Sequence, residues 1–442
     1  MKKHFTWMGF ALLAFAAQPA AAQQAEIQYF RHYDQRGIHM FETPKQDSVE
    51  YKGLAVRVGG HFSQTFQAIG HENNANMILN TATPPQNINE LKRITPGFNL
   101  ATANLNIDAQ LADGIRLNLV TYLSSRHHSE TWVKAGFIQF DKLTFLKSAA
   151  IDNAMQYLTI RAGQMQINYG DAQFRRSDNG NGMYQPFVGN VILDAFDTQI
   201  GTEIIFQNKG WLGVVGITSG ENKGVITPGP QVPTDPNKNL SPAFLVKAGY
   251  DKQMNEDLRL RLTGSMYHTA SSGRNYLYDG DRAGSRYYLV MENVIATAAS
   301  PHYSGHFIPG FNDNVTAIMI NPFVKWKGLE FFGIYETASG RSHAELADRG
   351  VQQISGEVIY RFGRNESIFV GGRYNQVSGQ LAGAGTPEVS MDRVQLGAGW
   401  FMTPNILLKG EFINQNYNNY PAANRFAEGK FNGFMIEAAV GF

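Results

Sequence analysis

The sequence predicts an all-β chain: a transmembrane antiparallel β-barrel of about sixteen strands, with short turns at one end and long loops at the other. Three observations predict it. First, the final residues alternate, with apolar Phe434, Ile436, Ala438, Val440 and Phe442 on one parity and Glu437 on the other. That puts an apolar stripe on one face of a strand. Second, segments of about ten residues with the same alternation recur from Leu54 to the end of the chain. Third, the connections between those segments alternate between short and long.

The elements follow in chain order. Residues 1–22 read as a signal peptide: Lys2 and Lys3 form a basic start, Phe5 to Ala17 an apolar stretch, and Ala20-Ala21-Ala22 a cleavage site before Gln23. The apolar stretch is too short to span a bilayer as a helix, so the remaining chain is expected to be exported. Residues 23–53 are polar, rich in charge and histidine, and show no strand period; a periplasmic lead-in, a lumenal plug and disorder all remain open. The barrel is expected over 54–442.

Strands are expected at 54–68, 98–111, 115–125, 131–142, 157–168, 194–207, 211–220 and 242–252. The second half continues at 256–270, 316–327, 328–340, 351–363, 365–378, 390–402, 404–416 and 430–442. Short turns carry Ala112-Asp113-Gly114, Asn208-Lys209-Gly210 and Lys327-Gly328, with a slightly longer one from Lys147 to Met155. Tyr287 to Thr297 also has some strand character, but one added strand makes an odd count, so it is assigned to the long 271–315 loop. The alternation is plain in Leu258, Leu260, Leu262 and Met266 against Arg259, Arg261 and Ser265, and in Val394, Leu396 and Trp400 against Arg393 and Gln395. A soluble sandwich would show the same faces. The terminal aromatic strand, the loop asymmetry and the export signal favour a barrel facing lipid, and the terminal Phe resembles the assembly signal of bacterial outer-membrane proteins.

Composition removes other classes. There is no cysteine, so neither disulfides nor thiolate chemistry operate. The formal net charge is only +1, which argues against a nucleic-acid or polybasic lipid partner. The mildly negative mean hydropathy, −0.28, excludes a bundle of membrane-spanning helices and suits strands of which every second residue faces lipid.

By the same parity the lumen is expected to be lined by Arg116, Arg161, Arg259, Arg261, Arg361, Arg373, Arg393 and Lys409, with Glu357 and Glu411, alongside Arg57, Asp108, Glu203, Glu330, Glu336 and Glu437. Guanidinium forks suit phosphate and carboxylate, although inward Arg and Glu also pair across strands to stiffen a wall. The connection between the fifth and sixth strands, Gly170 to Asn190, is the most suggestive site, with Asp171, Arg175, Arg176 and Asp178 among aromatic residues. Its two arginines either face a solute or pair with Asp171 and Asp178 to fix the loop.

Arg161-Ala162-Gly163-Gln164, Asn168-Tyr169-Gly170 and Arg175-Arg176-Ser177 together resemble the corresponding region of the phosphate-selective (O/P-type) porins. The resemblance implies a passive outer-membrane porin for small hydrophilic solutes, with Arg175 and Arg176 near the narrowest point; a weak preference for anions such as phosphate and carboxylate is the expectation from the Arg-rich lumen. The resemblance also implies a homotrimer. The long 271–315 loop departs from a minimal porin and points to the alternative, a plugged barrel acting as adhesin, scaffold or partner subunit. No cofactor, metal or catalytic residue is expected. His302 and His306 lack a third ligand nearby in sequence, His127-His128 reads as a solvated pair, and Ser265 and His268 fall on opposite faces, so an enzyme is not expected.

Overall fold

The computed structural model describes residues 24–124, 131–222, 224–226, 228–229, 239–280, 284–297, 303–383 and 386–442. The expected signal peptide, His127-His128 and His302 lie outside the described residues.

The first half holds β1 (Ala55–Glu72), β2 (Gly97–Phe98), β3 (Thr102–Ala112), β4 (Ile115–Ser124), β5 (Thr131–Phe140), β6 (Leu158–Gln166), β7 (Thr198–Asn208), β8 (Trp211–Thr218) and β9 (Ala243–Gln253). The second holds β10 (Leu258–Thr269), β11 (Asn314–Trp326), β12 (Leu329–Arg341), β13 (Arg349–Phe362), β14 (Ile368–Gln380), β15 (Glu388–Thr403), β16 (Ile406–Asn418) and β17 (Lys430–Gly441). β2 is a two-residue pairing with Phe66 and Gln67 of β1. The other sixteen form one antiparallel sheet that closes where β1 meets β17, from His61 opposite Gly441 to Glu72 opposite Lys430.

Closure leaves the wall without an edge, which is the condition for strands to cross a bilayer. The faces sort as the alternation requires. Leu262, Met266, Ile354, Val358, Val394, Leu396, Phe434 and Ile436 are exposed, while Arg261, Thr263, Glu357, Arg393, Gln395 and Glu437 are buried inside. Trp211, Trp326, Tyr360 and Trp400 stand exposed near the short-turn end and form one aromatic girdle. This is the construction of a bacterial outer-membrane barrel, and that membrane is where the protein resides.

All sixteen expected strands are present, and Tyr287–Thr297 is not among them. Two boundaries differ instructively. The sixth expected strand begins at Thr198 rather than 194, because Asp194 stays with the preceding segment and binds Arg176. The longer turn after β5 contains a helix, α1 (Ala149–Met155), whose run of alanines has high helix propensity.

The core sits inside the barrel. Residues 167–197, the described part of 271–313 and the N-terminal segment fold inward, and Val188, Ile192, Leu193, Tyr287, Val290, Met291 and Phe307 pack against wall residues Met319, Phe323, Val377 and Met391. A sixteen-strand wall is wide enough for an aqueous channel. In this conformation the described residues fill that width instead.

Candidate functional site

The segment between β6 and β7 has little regular structure, only a single 3-10 turn at Ala172–Phe174, so the wall must satisfy its buried backbone. Glu411 of β16 accepts from the Val188 and Gly189 amides at 2.8 and 3.2 Å. Gln353 of β13 accepts from Leu193 N at 3.0 Å and donates to Leu193 O at 2.9 Å. Lys409 donates to the carbonyls of Gly182, Gln185 and Phe187 at 2.8–2.9 Å and pairs with Glu437 at 2.9 Å. Within the segment, Asn190 accepts from Ser177 N at 2.9 Å and returns a bond to Ser177 O at 3.0 Å.

The four charged residues singled out in this segment are all buried; of the expected pairing with Asp171 and Asp178 only Arg176–Asp178 is kept, and Arg175 and Asp171 take other partners. Arg175 reaches the wall, meeting Glu357 at 2.8 Å and Glu330 at 3.2 Å. Asp171 also binds the wall, at Lys247 (2.6 Å) and Arg261 (2.7 Å). Arg176 binds Asp194 at 2.5 Å and lies 3.8 Å from Asp178. Asp178 pairs with Lys134, the residue left over where β4 and β5 slip by one register, and accepts from Tyr122. The physical reason is reach: the Arg–Asp pairs that do not form are three to five residues apart, their side chains leave the turn in different directions, and Arg175, Asp171 and Asp178 find wall partners nearer. Asp194 is held below the usual carboxylate range because Arg176 and Asn190 outweigh its burial.

The ten wall residues all face inward, and each has a partner. Arg116 binds Asp108 at 3.1 Å and Gln139 at 2.8 Å. Arg161 binds Glu203 at 3.1 Å, and Phe137 lies between it and Arg116. Arg259 and Arg261 share Asp251 at 2.7 and 2.9 Å. Arg361 pairs with Glu330, Arg373 with Gln395 at 2.8 Å and with the Gly189 carbonyl, and Arg393 with Gln415 at 2.7 Å and with the carbonyls of Asn190 and Gly305. Glu357 holds Arg175, and Glu411 also accepts from Tyr287 Oη at 2.8 Å. Arg161 and Arg259 keep the most solvent, at 16% and 22% side-chain exposure.

The N-terminal segment lies across the short-turn mouth as a strap. Tyr33 donates to Asp108 at 2.5 Å, Arg31 donates to the Phe174 carbonyl at 2.9 Å and stacks on Tyr184, and Lys45 donates to the Leu158 carbonyl at 2.7 Å. Glu42 reaches Lys247 at 2.9 Å and Arg261 at 2.8 Å. Burial alone would raise the Glu42 carboxyl, but those two cations hold it down to about 2; the same cations hold Asp171 below the usual range. Burial lowers His39 to about 4 against the opposing pull of Glu330. Cavities of about 570 and 650 Å³ flank the strap, and both are lined by Arg36, Ile38 and His39.

His39, Glu330 and Glu366 bring ligand atoms within 4.8 Å of one another. Glu330 is already bound by Arg361 and Arg175 and Glu366 by Lys325, so the set is poorly suited to a cation. Sequence reasoning did not single out Glu42, Lys247 or Asp194. Lys247 was open to it, since it shares parity with Leu245 against Phe244, Val246 and Ala248. Glu42 had no period to mark it.

No protein-family model matches the chain, and no curated protein matches it in sequence. Among solved structures, the anion-selective porin from Comamonas acidovorans superposes with a TM-score of 0.52 at 11% identity, over 88% of this chain and 100% of that one. OmpT of Vibrio cholerae in its trimer form gives 0.49 at 10% identity, over 88% and 100%. The outer-membrane channel DcaP of Acinetobacter baumannii gives 0.48 at 8% identity, over 89% and 99%. At 11% identity the first likeness bears on the fold, which is that of a porin-type barrel.

Proposed function

We propose that the protein is a passive, non-enzymatic porin-type channel for small hydrophilic solutes, with a weak preference for anions, and that the filled lumen is its closed state. One observation carries the reading. The inward face of β3 is polar throughout, with Thr102, Asn104, Asn106, Asp108 and Gln110, and its neighbour β1 presents Arg57, His61, Ser63, Thr65 and Gln67. Water can replace hydrogen bonds along such a face at little net cost, so this side supports an aqueous path once the strap lifts and the Asp178–Gly180 stretch bonded to Thr102 and Asn104 shifts with it. Arg57, Arg116 and Arg161 on that side favour anions, in keeping with the likeness to phosphate-selective porins around Arg161 and Arg175. Liposomes reconstituted with the pure protein should swell in small sugars and faster in small organic anions. Swelling no faster than in protein-free liposomes would overturn the reading.

A second observation favours the plugged-barrel alternative. On the adjoining strands β15 to β17, Val389, Met391, Tyr417 and Phe431 of the wall pack with Tyr287, Val290, Met291 and Phe307 of the long loop. Apolar contact of this kind does not yield to water, and it supports a barrel whose outer loops serve a partner. Assembly as a homotrimer belongs to the channel reading and is checked by the native mass in mild detergent.

A further inference from the structure

Six charges meet where the strap, the lumenal segment and the wall converge. Lys247, Arg259 and Arg261 supply three cations; Glu42, Asp171 and Asp251 supply three carboxylates. Lys247 contacts Glu42 at 2.9 Å and Asp171 at 2.6 Å, and Arg261 contacts Glu42, Asp171 and Asp251 at 2.8, 2.7 and 2.9 Å. Five of the six belong to the wall or to the segment fixed against it. Glu42 alone comes from the strap, which has no regular structure apart from a 3-10 turn at Gln35–Gly37 and is flanked by cavities.

The donors around Glu42 describe a receptor for one carboxylate. Lys247 Nζ and Asn168 Nδ2 donate to Oε1 at 2.9 and 3.2 Å, while Arg261 Nη2, which donates to Asp171, lies 2.8 Å from Oε2 as an ion pair. All three donor side chains are buried. A carboxylate that accepts at one oxygen and brings a single negative charge beside the guanidinium satisfies this set. A dianion would add charge beside Asp171, which shares both cations. When the strap leaves, the cluster retains three cations and two carboxylates, and that unbalanced positive charge is costly to leave buried and unpaired.

We propose that Glu42 is a tethered stand-in, and that Lys247, Arg261 and Asn168 form a binding site for the carboxylate group of a small solute that exchanges with it. This deepens the channel reading by naming the solute class and rests on it for the biological role. The site itself can be tested without any transport.

The test is chemical rescue of Glu42→Ala, read as the melting temperature of the folded barrel in detergent by tryptophan fluorescence. The truncation lowers the melting temperature. Acetate or formate should restore about half of the loss or more, with a shift that grows with the logarithm of concentration, while wild type barely responds. Phosphate and chloride at equal ionic strength should do markedly less, and adding Lys247→Met should abolish the rescue. An acetate shift no larger in Glu42→Ala than in wild type, or equal shifts from acetate and chloride, would overturn the proposal. If Glu42→Ala does not fold in chloride, its refolding yield is compared in acetate and chloride: recovery in acetate alone supports the site, and failure in both overturns it. A protein that never conducts but shows the rescue would sink the channel reading and leave the site standing.

Discussion

Arg175 and Glu357 stand 182 positions apart in the chain, yet Arg175 Nη2 donates to Glu357 Oε1 at 2.8 Å and Nε adds a bond of 3.0 Å to the same oxygen. This contact ties the lumenal segment to β13 deep in the barrel. Both side chains are only 5% exposed, so the pair is shielded from salt and water.

Removing one partner of a buried pair leaves the other charge uncompensated, at a cost of about 3–5 kcal/mol. Arg175→Ala is expected near the lower end, because Arg373 lies 3.7 Å from Glu357. Combined with Glu357→Gln, the loss should fall short of the sum of the single losses by about 1–3 kcal/mol. Urea unfolding midpoints of the four proteins in the cycle measure this; strictly additive losses would show that the pair does not anchor the segment.

Gly180 gives a steric test of the same anchoring. A β-carbon there would lie 2.6 Å from both the Ala103 Cα and the His61 carbonyl oxygen. Both contacts are backbone atoms of the wall and cannot swing aside. Gly180→Ala should therefore cost about 1–3 kcal/mol, seen as a lower urea midpoint. An unchanged midpoint would mean that the segment is not seated against β1 and β3.

Acid should loosen the strap. His39 is held at about 4 when docked and returns to about 6.5 when released. The released state therefore binds the extra proton, and docking weakens as pH falls from about 6.5 to 4. Glu42 is held at about 2 when docked against an ordinary 4.5, so its contribution is present above 4.5 and is lost from there down to about 2. The chain has no cysteine, so a spin label on a single cysteine introduced at Gln46 reports strap mobility alone. Mobility should rise in both ranges, and His39→Gln should shrink the upper one, to which His32, also held below its ordinary value by burial, adds. A flat profile from pH 7 to 3 would refute the linkage.

Selectivity should depend on the polar side of the lumen. Arg161→Gln removes one of three cations there, and the anion-to-cation permeability ratio is expected to fall by roughly half, measured as reversal potential in a salt gradient. Arg176→Ala should leave the ratio nearly unchanged, because Arg176 is turned into its own segment against Asp194 and Phe196.

The wall was legible in the sequence because a strand has period two, and lipid on one side with polar groups on the other writes that period into every strand. Tyr360 and Arg361, or Ile436 and Glu437, carry it in adjacent letters. The filling was not legible. The strap has no period, and Glu42 acquires its role only from Lys247, which lies 205 positions away. Arg175 and Arg176 are adjacent in sequence yet serve opposite ends of the site, one on the wall and one on its own loop. Local spacing cannot encode such partners, since closure of the sheet creates them.

The central claim is that this barrel conducts and that its own chain closes it. Single-channel recording of pure folded protein in planar bilayers, with and without residues 24–46, tests it most directly. The account predicts rare openings from the full chain, frequent discrete openings from the shortened one, and a reversal potential on the anion side for both. Silence from both folded proteins would contradict it and leave the plugged barrel as the correct reading.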